Sequence, residues 1–352
     1  MSTAFPSLGD YSTVDHAVRG LHLEANEHHE NIFNQQAEPC ASGLHRYPDS
    51  KCAYLADSLA AFLGILPSQL FFTNGSVEAI EEILARALRR GITTAGIIQP
   101  SYALYGPLVL RNGLDLRIAS LNPDDTFRQS YTWENYAATL DITDLCILGS
   151  PNNPTGTLLG PAVMSRVLSS YSGDLVVDEA YIEYAGYEES LGRYAIRNPR
   201  LLVVRTFSKA WGLASIRLGY IIGHPDVISD LKHASRPYRI PGPTQEAAIG
   251  AIRNSPAMIE SARRNNQLRA RMAKSLCQFQ DITVFETKAN FVLLEYKGAP
   301  SLWRFLREHE IFVKLLEPTG SMLRIAVPSE SGLTRLVVAM KAFFEGVTAD
   351  RA

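Results

Sequence analysis

Apolar residues recur along this chain in two alternating rhythms. From Tyr54 to Leu63 and from Val77 to Leu88 they return every three or four positions, the spacing of one helix face; in the second stretch Ile80, Ile83, Leu84 and Leu88 form the stripe. Between them Gln69-Leu-Phe-Phe-Thr73 reads as a short strand, followed by Asn74-Gly75-Ser76. Further short apolar runs, read as strands, occupy Gly96–Ile98, Asp115–Ile118, Leu145–Leu148, Leu175–Val177, Leu201–Arg205 and Leu218–Ile222, with helical stretches between. Such alternation predicts an α/β fold with a mostly parallel sheet covered by helices on both faces.

The rhythm changes after Pro243. A long helical region is expected from about Thr244 to Phe279. Strand-like pieces follow at Ile282–Phe285, Asn290–Glu295 and Leu323–Val327, with helices around Ser301–Glu308 and Gly332–Phe344. This predicts a smaller α+β domain over residues 244–352, joined at Pro237, Pro241 and Pro243 to a large domain over residues 46–243. Residues 1–45 are polar and mixed and read as an extended arm belonging to the small domain. No repeat or low-complexity tract interrupts the pattern.

Composition narrows the classes. The chain has 352 residues, 46% hydrophobic and 20% charged, with a net charge of −2, so no strong field favours nucleic acid or an anionic membrane. The arginines at 263, 264, 269 and 271 read as a solvated helix face. Cys40, Cys52, Cys146 and Cys277 are scattered, which speaks against a zinc site or a disulfide framework and fits a reducing compartment. With no secretory pattern at the start and no apolar run long enough to span a bilayer, the expected location is the cytoplasm.

Four segments carry chemistry. Thr206-Phe-Ser-Lys-Ala-Trp-Gly-Leu-Ala-Ser-Ile-Arg217 follows a strand. A lysine desolvated near other cations has a lowered pKa and forms a Schiff base with a carbonyl compound. Thr206, Ser208 and Arg217 suit a phosphate, since hydroxyls and a guanidinium fork both donate. Val176-Val-Asp-Glu-Ala-Tyr181 ends a strand with an acid that can pair with a protonated pyridine nitrogen. Ser150-Pro-Asn-Asn-Pro-Thr-Gly156 is a rigid turn able to hold an Asn amide in place. Asn74-Gly75-Ser76, between strand and helix, presents backbone N–H groups and a helix dipole to an anion. Singly, these are a surface lysine, a strand-end acid, a turn and a βα connection.

Together, in this chain order, they resemble the fold-type-I, class I/II aminotransferases that use pyridoxal 5'-phosphate, and most of all their histidinol-phosphate aminotransferase subgroup. The resemblance runs from Leu23-Glu-Ala-Asn-Glu27 to Leu323-Arg-Ile325 and is most specific at Pro151–Gly156, Val177–Tyr181 and Arg205–Tyr220. It implies that Lys209 holds the cofactor as a Schiff base, that Asp178 binds the pyridine nitrogen, and that Asn153 and Tyr181 bond the phenolic oxygen. Tyr102, in Pro100-Ser-Tyr-Ala-Leu-Tyr105, would stack on the ring. Ser76, the backbone at Val77, Ser208 and Arg217 would hold the phosphate, with Thr206 nearby. Tyr47, in His45-Arg-Tyr-Pro-Asp49, resembles the tyrosine that reaches the phosphate of a neighbouring subunit, which implies a homodimer with shared active sites. Arg324 matches the arginine that grips the substrate's acidic group, Asn26 a position near the substrate, and Tyr11 an N-terminal substrate tyrosine. The implied reaction is a ping-pong transfer from a small amino donor such as histidinol phosphate to a 2-oxo acid, 2-oxoglutarate, with no metal.

Three departures bear on the substrate. Val77 stands where the subgroup usually has an acid, although a contact through its N–H survives the change. Lys314 stands where a second arginine commonly helps hold the substrate phosphate; it keeps the charge and loses the fork. Ala-Val-Pro-Ser-Glu follows Arg324-Ile325 in place of the usual Val-Gly-Thr run. The sequence therefore leaves open an aminotransferase for an aromatic or other amino acid and a threonine-phosphate decarboxylase. A non-enzymatic regulator on the same fold is disfavoured by the intact catalytic set.

Overall fold

The computed structural model describes residues 18–33, 44–120, 143–159, 161–316 and 320–349. Near the start, the short strand β1 (Leu21–His22) pairs in parallel with β11 (Ile311–Phe312), so the N-terminal segment is laid against the C-terminal part of the chain. Tyr11 lies outside the described residues.

A seven-stranded sheet forms the centre. Its strands are β2 (Leu70–Thr73), β3 (Thr94–Gln99), β4 (Asp115–Ser120), β5 (Leu145–Gly149), β6 (Asp174–Asp178), β7 (Leu201–Thr206) and β8 (Gly219–Ile222), in the spatial order β2-β8-β7-β6-β5-β3-β4. Strands β5, β6 and β7 are buried at every position, as expected for strands covered on both faces. Pairing is parallel from β4 through β7, while β8 runs antiparallel to both β7 and β2. The twelve residues between β7 and β8 hold one short 3-10 turn, Ala214–Ile216, and no α-helix to cross the sheet, so β8 returns antiparallel.

Helix α1 (Ala53–Leu63) packs on one face of this sheet, in a core with Phe207, Trp211 and Tyr220. Helices α2 (Gly75–Arg89) and α3 (Tyr105–Arg111) pack on the other with Ile97, Val176 and Val204. In α2 the expected residues Ile80, Ile83 and Leu84 are buried and Ala87 joins them, but Leu88 is 46% exposed. At roughly 100° per residue it falls close to a right angle from the stripe, at the edge of the buried face. Helices α4 (Pro161–Ser170), α5 (Ile182–Ala185), α6 (Gly192–Ala195) and α7 (Pro225–Ala234) complete this part.

The long helical region is two helices, α8 (Gly242–Arg253) and α9 (Ser255–Leu276). The break at Asn254 has a cause in Pro256, which lacks the N–H a continuous helix needs and belongs in a first turn. A second, antiparallel sheet follows, ordered β12-β13-β10-β9: β9 (Thr283–Phe285), β10 (Phe291–Glu295), β12 (Lys314–Leu316) and β13 (Met322–Ala326). Helices α10 (Ala299–Glu308) and α11 (Glu330–Ala349) cover it, and Leu268, Leu294, Leu302, Leu323 and Leu336 share its own core. Among the described residues no helix is long and apolar enough to cross a membrane.

Candidate active site

Parallel strands deliver their following loops to one edge of a sheet, and that edge is where α/β proteins bind ligands. Strands β3, β5, β6 and β7 thus bring Tyr102, Asn153, Asp178 and Lys209 together. Strand β2 runs the same way and adds Gly75 and Ser76. Strand β8 runs the opposite way, so its start, preceded by Arg217, lies on the same edge. Asn26 comes from the N-terminal segment and Arg324 from β13, closing the cleft from the side of the second sheet.

Lys209 is half-buried and lines this cleft, where its ammonium donates to the Ala25 carbonyl at 2.9 Å and lies 5.7 Å from the Tyr181 ring centre. Burial brings its pKa down to about 8, reinforced by the Arg324 and Arg217 guanidinium groups and opposed by Glu27 and Asp178. Asp178 is buried, and burial raises its carboxyl to about 6 against the pull of two donors, the Tyr105 hydroxyl at 2.8 Å and the Ala180 N–H at 3.1 Å. The Tyr181 hydroxyl accepts from the Asn26 amide at 3.2 Å. The amide oxygen of Asn26 is itself buried with no hydrogen-bond partner among the described residues. Arg324 donates to the Asn153 side-chain oxygen at 2.5 Å and to the Glu24 carbonyl, and its guanidinium lies over Phe291.

The phosphate-binding candidates form a second group at the end of α2. The Thr206 hydroxyl donates to Ser208 Oγ at 2.9 Å and Arg217 reaches the same oxygen at 3.4 Å. Gly75 has φ +84, and a Cβ placed there would come within 2.5 Å of Arg217 Nη2, so glycine both suits the backbone and lets the guanidinium lie against the turn. Ser76 lines the cleft and Val77 follows it in the first turn of α2, where unpaired N–H groups attract an anion. Gly75→Ala would strain the turn and push Arg217 aside. The expected result is cofactor affinity weakened about tenfold or more, the worth of a charge-assisted hydrogen bond, read by titrating the apoprotein with pyridoxal phosphate.

Outside the phosphate-binding group, Lys314 and Tyr47 are also not among the residues lining the cleft. Lys314 is half-buried and sits directly opposite Arg324 in the β12–β13 ladder, so the two cations share one sheet face. Tyr47 is 82% exposed and stacks on Tyr238 at 4.6 Å.

Other participants carried no assignment in the sequence. Tyr105 lay within a quoted segment, but only the fold shows its hydroxyl on Asp178. Glu179 and Arg205 form a buried pair at 3.0 Å behind the site, with Ser190 bonded to both. The one available signal was their position, beside Asp178 and Thr206.

The chain matches the aminotransferase class I and II family over residues 23–340, and it belongs to that family. It is a pyridoxal-phosphate-dependent aminotransferase. A histidinol-phosphate aminotransferase of Cytophaga hutchinsonii is 30% identical over 338 residues, 93% of this chain and 92% of its own length. The histidinol-phosphate aminotransferase of Clostridium acetobutylicum superposes with a TM-score of 0.84 at 24% identity, over 93% of this chain and 99% of that one. That of Sinorhizobium meliloti, solved with pyridoxal-5'-phosphate, gives 0.84 at 20% identity over 99% of both chains. The residues present fit that cofactor: a lysine of lowered pKa, a buried acid, and the Arg217 guanidinium laid against the Gly75 turn with hydroxyl donors beside it.

Proposed function

We propose that this aminotransferase takes its amino group from histidinol phosphate and passes it to 2-oxoglutarate. The observation that carries the reading is the pairing of Lys314 with Arg324 across β12 and β13, two cations on one face beside the cleft, suited to a doubly charged phosphate. The named substrate of the Cytophaga relative agrees with it.

When bound, pyridoxal phosphate supplies an aldehyde that captures the donor's amine and a pyridinium ring that accepts the electron pair left at the donor's Cα. Lys209, once displaced, carries a proton from that Cα, a task suited to an amine titrating near 8. Asp178 keeps a proton on the ring nitrogen. Tyr181 and Asn153 address the phenolic oxygen, and Tyr102 packs on the ring face. Ser76, the N–H of Val77, Ser208 and Arg217 hold the phosphate, with Thr206 orienting Ser208. Asn26 and Arg324 position the donor. In this reading the active unit is a cytoplasmic homodimer, in which the exposed Tyr47 completes the phosphate site of the partner subunit.

A second reading takes an aromatic amino acid as donor, because Lys314 lacks the guanidinium fork. One experiment separates the readings. The visible spectrum of the purified holoenzyme is followed while histidinol phosphate, aromatic amino acids, glutamate and phosphothreonine are added in turn. The proposed donor discharges the cofactor band at the lowest concentration. Preferential response to an aromatic amino acid, or carbon dioxide released from phosphothreonine, overturns the proposal.

A further inference from the structure

Both oxygens of Asp178 are engaged from within the chain. Oδ1 takes the Ala180 N–H at 3.1 Å, an adjacent backbone contact. Oδ2 takes the Tyr105 hydroxyl at 2.8 Å, a contact that reaches across 73 positions of sequence. Tyr105 opens α3, is buried at the cleft wall, and meets Tyr102 edge to face with ring centres 5.5 Å apart. Strand β5 ends beside it in Gly149, where a Cβ would lie 3.5 Å from the Tyr105 hydroxyl and 3.0 Å from Asn152 Oδ1. The hydroxyl therefore sits in a fitted space between the ring-stacking residue and the acid.

We propose that Tyr105 is a positioning residue: its hydroxyl holds Asp178 ionised and aimed at the cofactor's ring nitrogen while its ring braces Tyr102 against the cofactor face. The inference rests on the assignment of Asp178 to that nitrogen. An ionised carboxylate only accepts hydrogen bonds, so a donor fixed beside it favours the anion. Tyr105 keeps its own proton, since burial and the neighbouring Asp178 hold its phenol well above the ordinary range. It thus opposes the burial that drives Asp178 toward neutrality, as Lys209 also does, while Glu179 acts the other way. With the hydroxyl removed, Asp178 is the stronger base and draws the ring-nitrogen proton to itself. The ring loses positive charge and becomes a weaker electron sink.

The test is Tyr105→Phe, which keeps the ring and removes one oxygen, studied as the cofactor-loaded enzyme. Less positive charge on the ring makes the nearby Lys209 linkage more basic. The midpoint of the visible absorbance change with pH should therefore move up, and NMR of ring-nitrogen-labelled pyridoxal phosphate should report a less protonated nitrogen. Turnover should fall about tenfold with KM within about twofold, the pattern of an interaction felt in the transition state. Difluorotyrosine installed at position 105 is a stronger donor of nearly the same size and should move the midpoint down; it carries the test alone if Tyr105→Phe does not fold. A loaded Tyr105→Phe enzyme whose titration and nitrogen signal overlay the wild type sinks this inference alone. A wild-type protein that shows no cofactor band sinks the assignment of Asp178 and this inference together.

Discussion

On the proposed assignment Lys209→Ala is expected to lower turnover by about 10,000-fold or more, because the variant would lose the amine that carries the Cα proton and keeps the cofactor aldehyde ready for exchange. On the same assignment the cofactor still binds, since its ring and phosphate would be held by Asp178, Tyr181, Ser208 and Arg217, which the substitution leaves in place. Three measurements separate these effects. Steady-state kinetics gives the loss of turnover. The absorption spectrum shows bound cofactor without the lysine linkage. Borohydride reduction attaches the cofactor to the wild type, as a mass increase on the peptide with Lys209, and leaves the variant unlabelled. Full turnover by the variant would remove Lys209 from the reaction. The pH dependence follows from the same residue. Only the neutral amine attacks an aldehyde, and burial with the Arg324 charge brings Lys209 down to about 8. Capture of pyridoxal phosphate by the apoprotein should accelerate as pH rises and level off above about 8. A plateau reached only near the ordinary lysine range would show that the cleft does not perturb the amine.

Arg205→Leu is expected to have the largest effect on stability, about 3–5 kcal/mol, because it leaves a buried carboxylate without its counter-charge. Arg205 and Glu179 are 2% and 1% exposed. Glu179 accepts from Arg205 Nε, from the Ser190 hydroxyl at 2.8 Å and from the Leu191 N–H at 2.6 Å. Glu183 is also buried nearby, and burial raises its carboxyl to about 7 despite the pull of Arg205. Removing the guanidinium therefore strands Glu179 and takes away the cation that draws Glu183 toward its charged form. Urea unfolding at neutral pH gives the loss directly, and Arg205→Lys, which restores charge without the fork, should recover part of it. A change below about 1 kcal/mol would mean that the pair is no more than a solvated contact. The pair also has a functional neighbour on each side. Strands β6 and β7 run in register with Asp178 opposite Val204, so Glu179 and Arg205 clamp the two strand ends from which Asp178 and Lys209 project.

The sequence and the fold divide unevenly. The strand ends that carry the site were legible because buried parallel strands are uninterrupted apolar runs, and the polar residues that follow them stand out. Lys209, Asp178 and the turn at Gly75 could be named for that reason, and Asn153 was singled out by the family resemblance. Tyr105 could not be assigned, since nothing local distinguishes a packing tyrosine from one whose hydroxyl meets an acid 73 positions away. The stripe in α2 was read one residue too far at Leu88, at the edge of a helix face where burial depends on the neighbours. The two-helix form of 242–276 was written locally in Pro256, but the helical spacing on either side concealed it.

What the sequence by itself determined is the chemistry on offer: an amine, an acid, a phosphate turn and two distant cations, in an order that specifies a family. Tertiary structure alone decided which of these groups meet. The reversal of β8 brings Arg217 to the edge where Lys209 lies, and the β12–β13 register sets Lys314 opposite Arg324. Burial of Asp178 with Tyr105, and desolvation of Lys209 within reach of the Arg324 charge, set their proton affinities. Proton affinity depends on the charges and the dielectric within a few ångströms, and those neighbours come from across the whole chain.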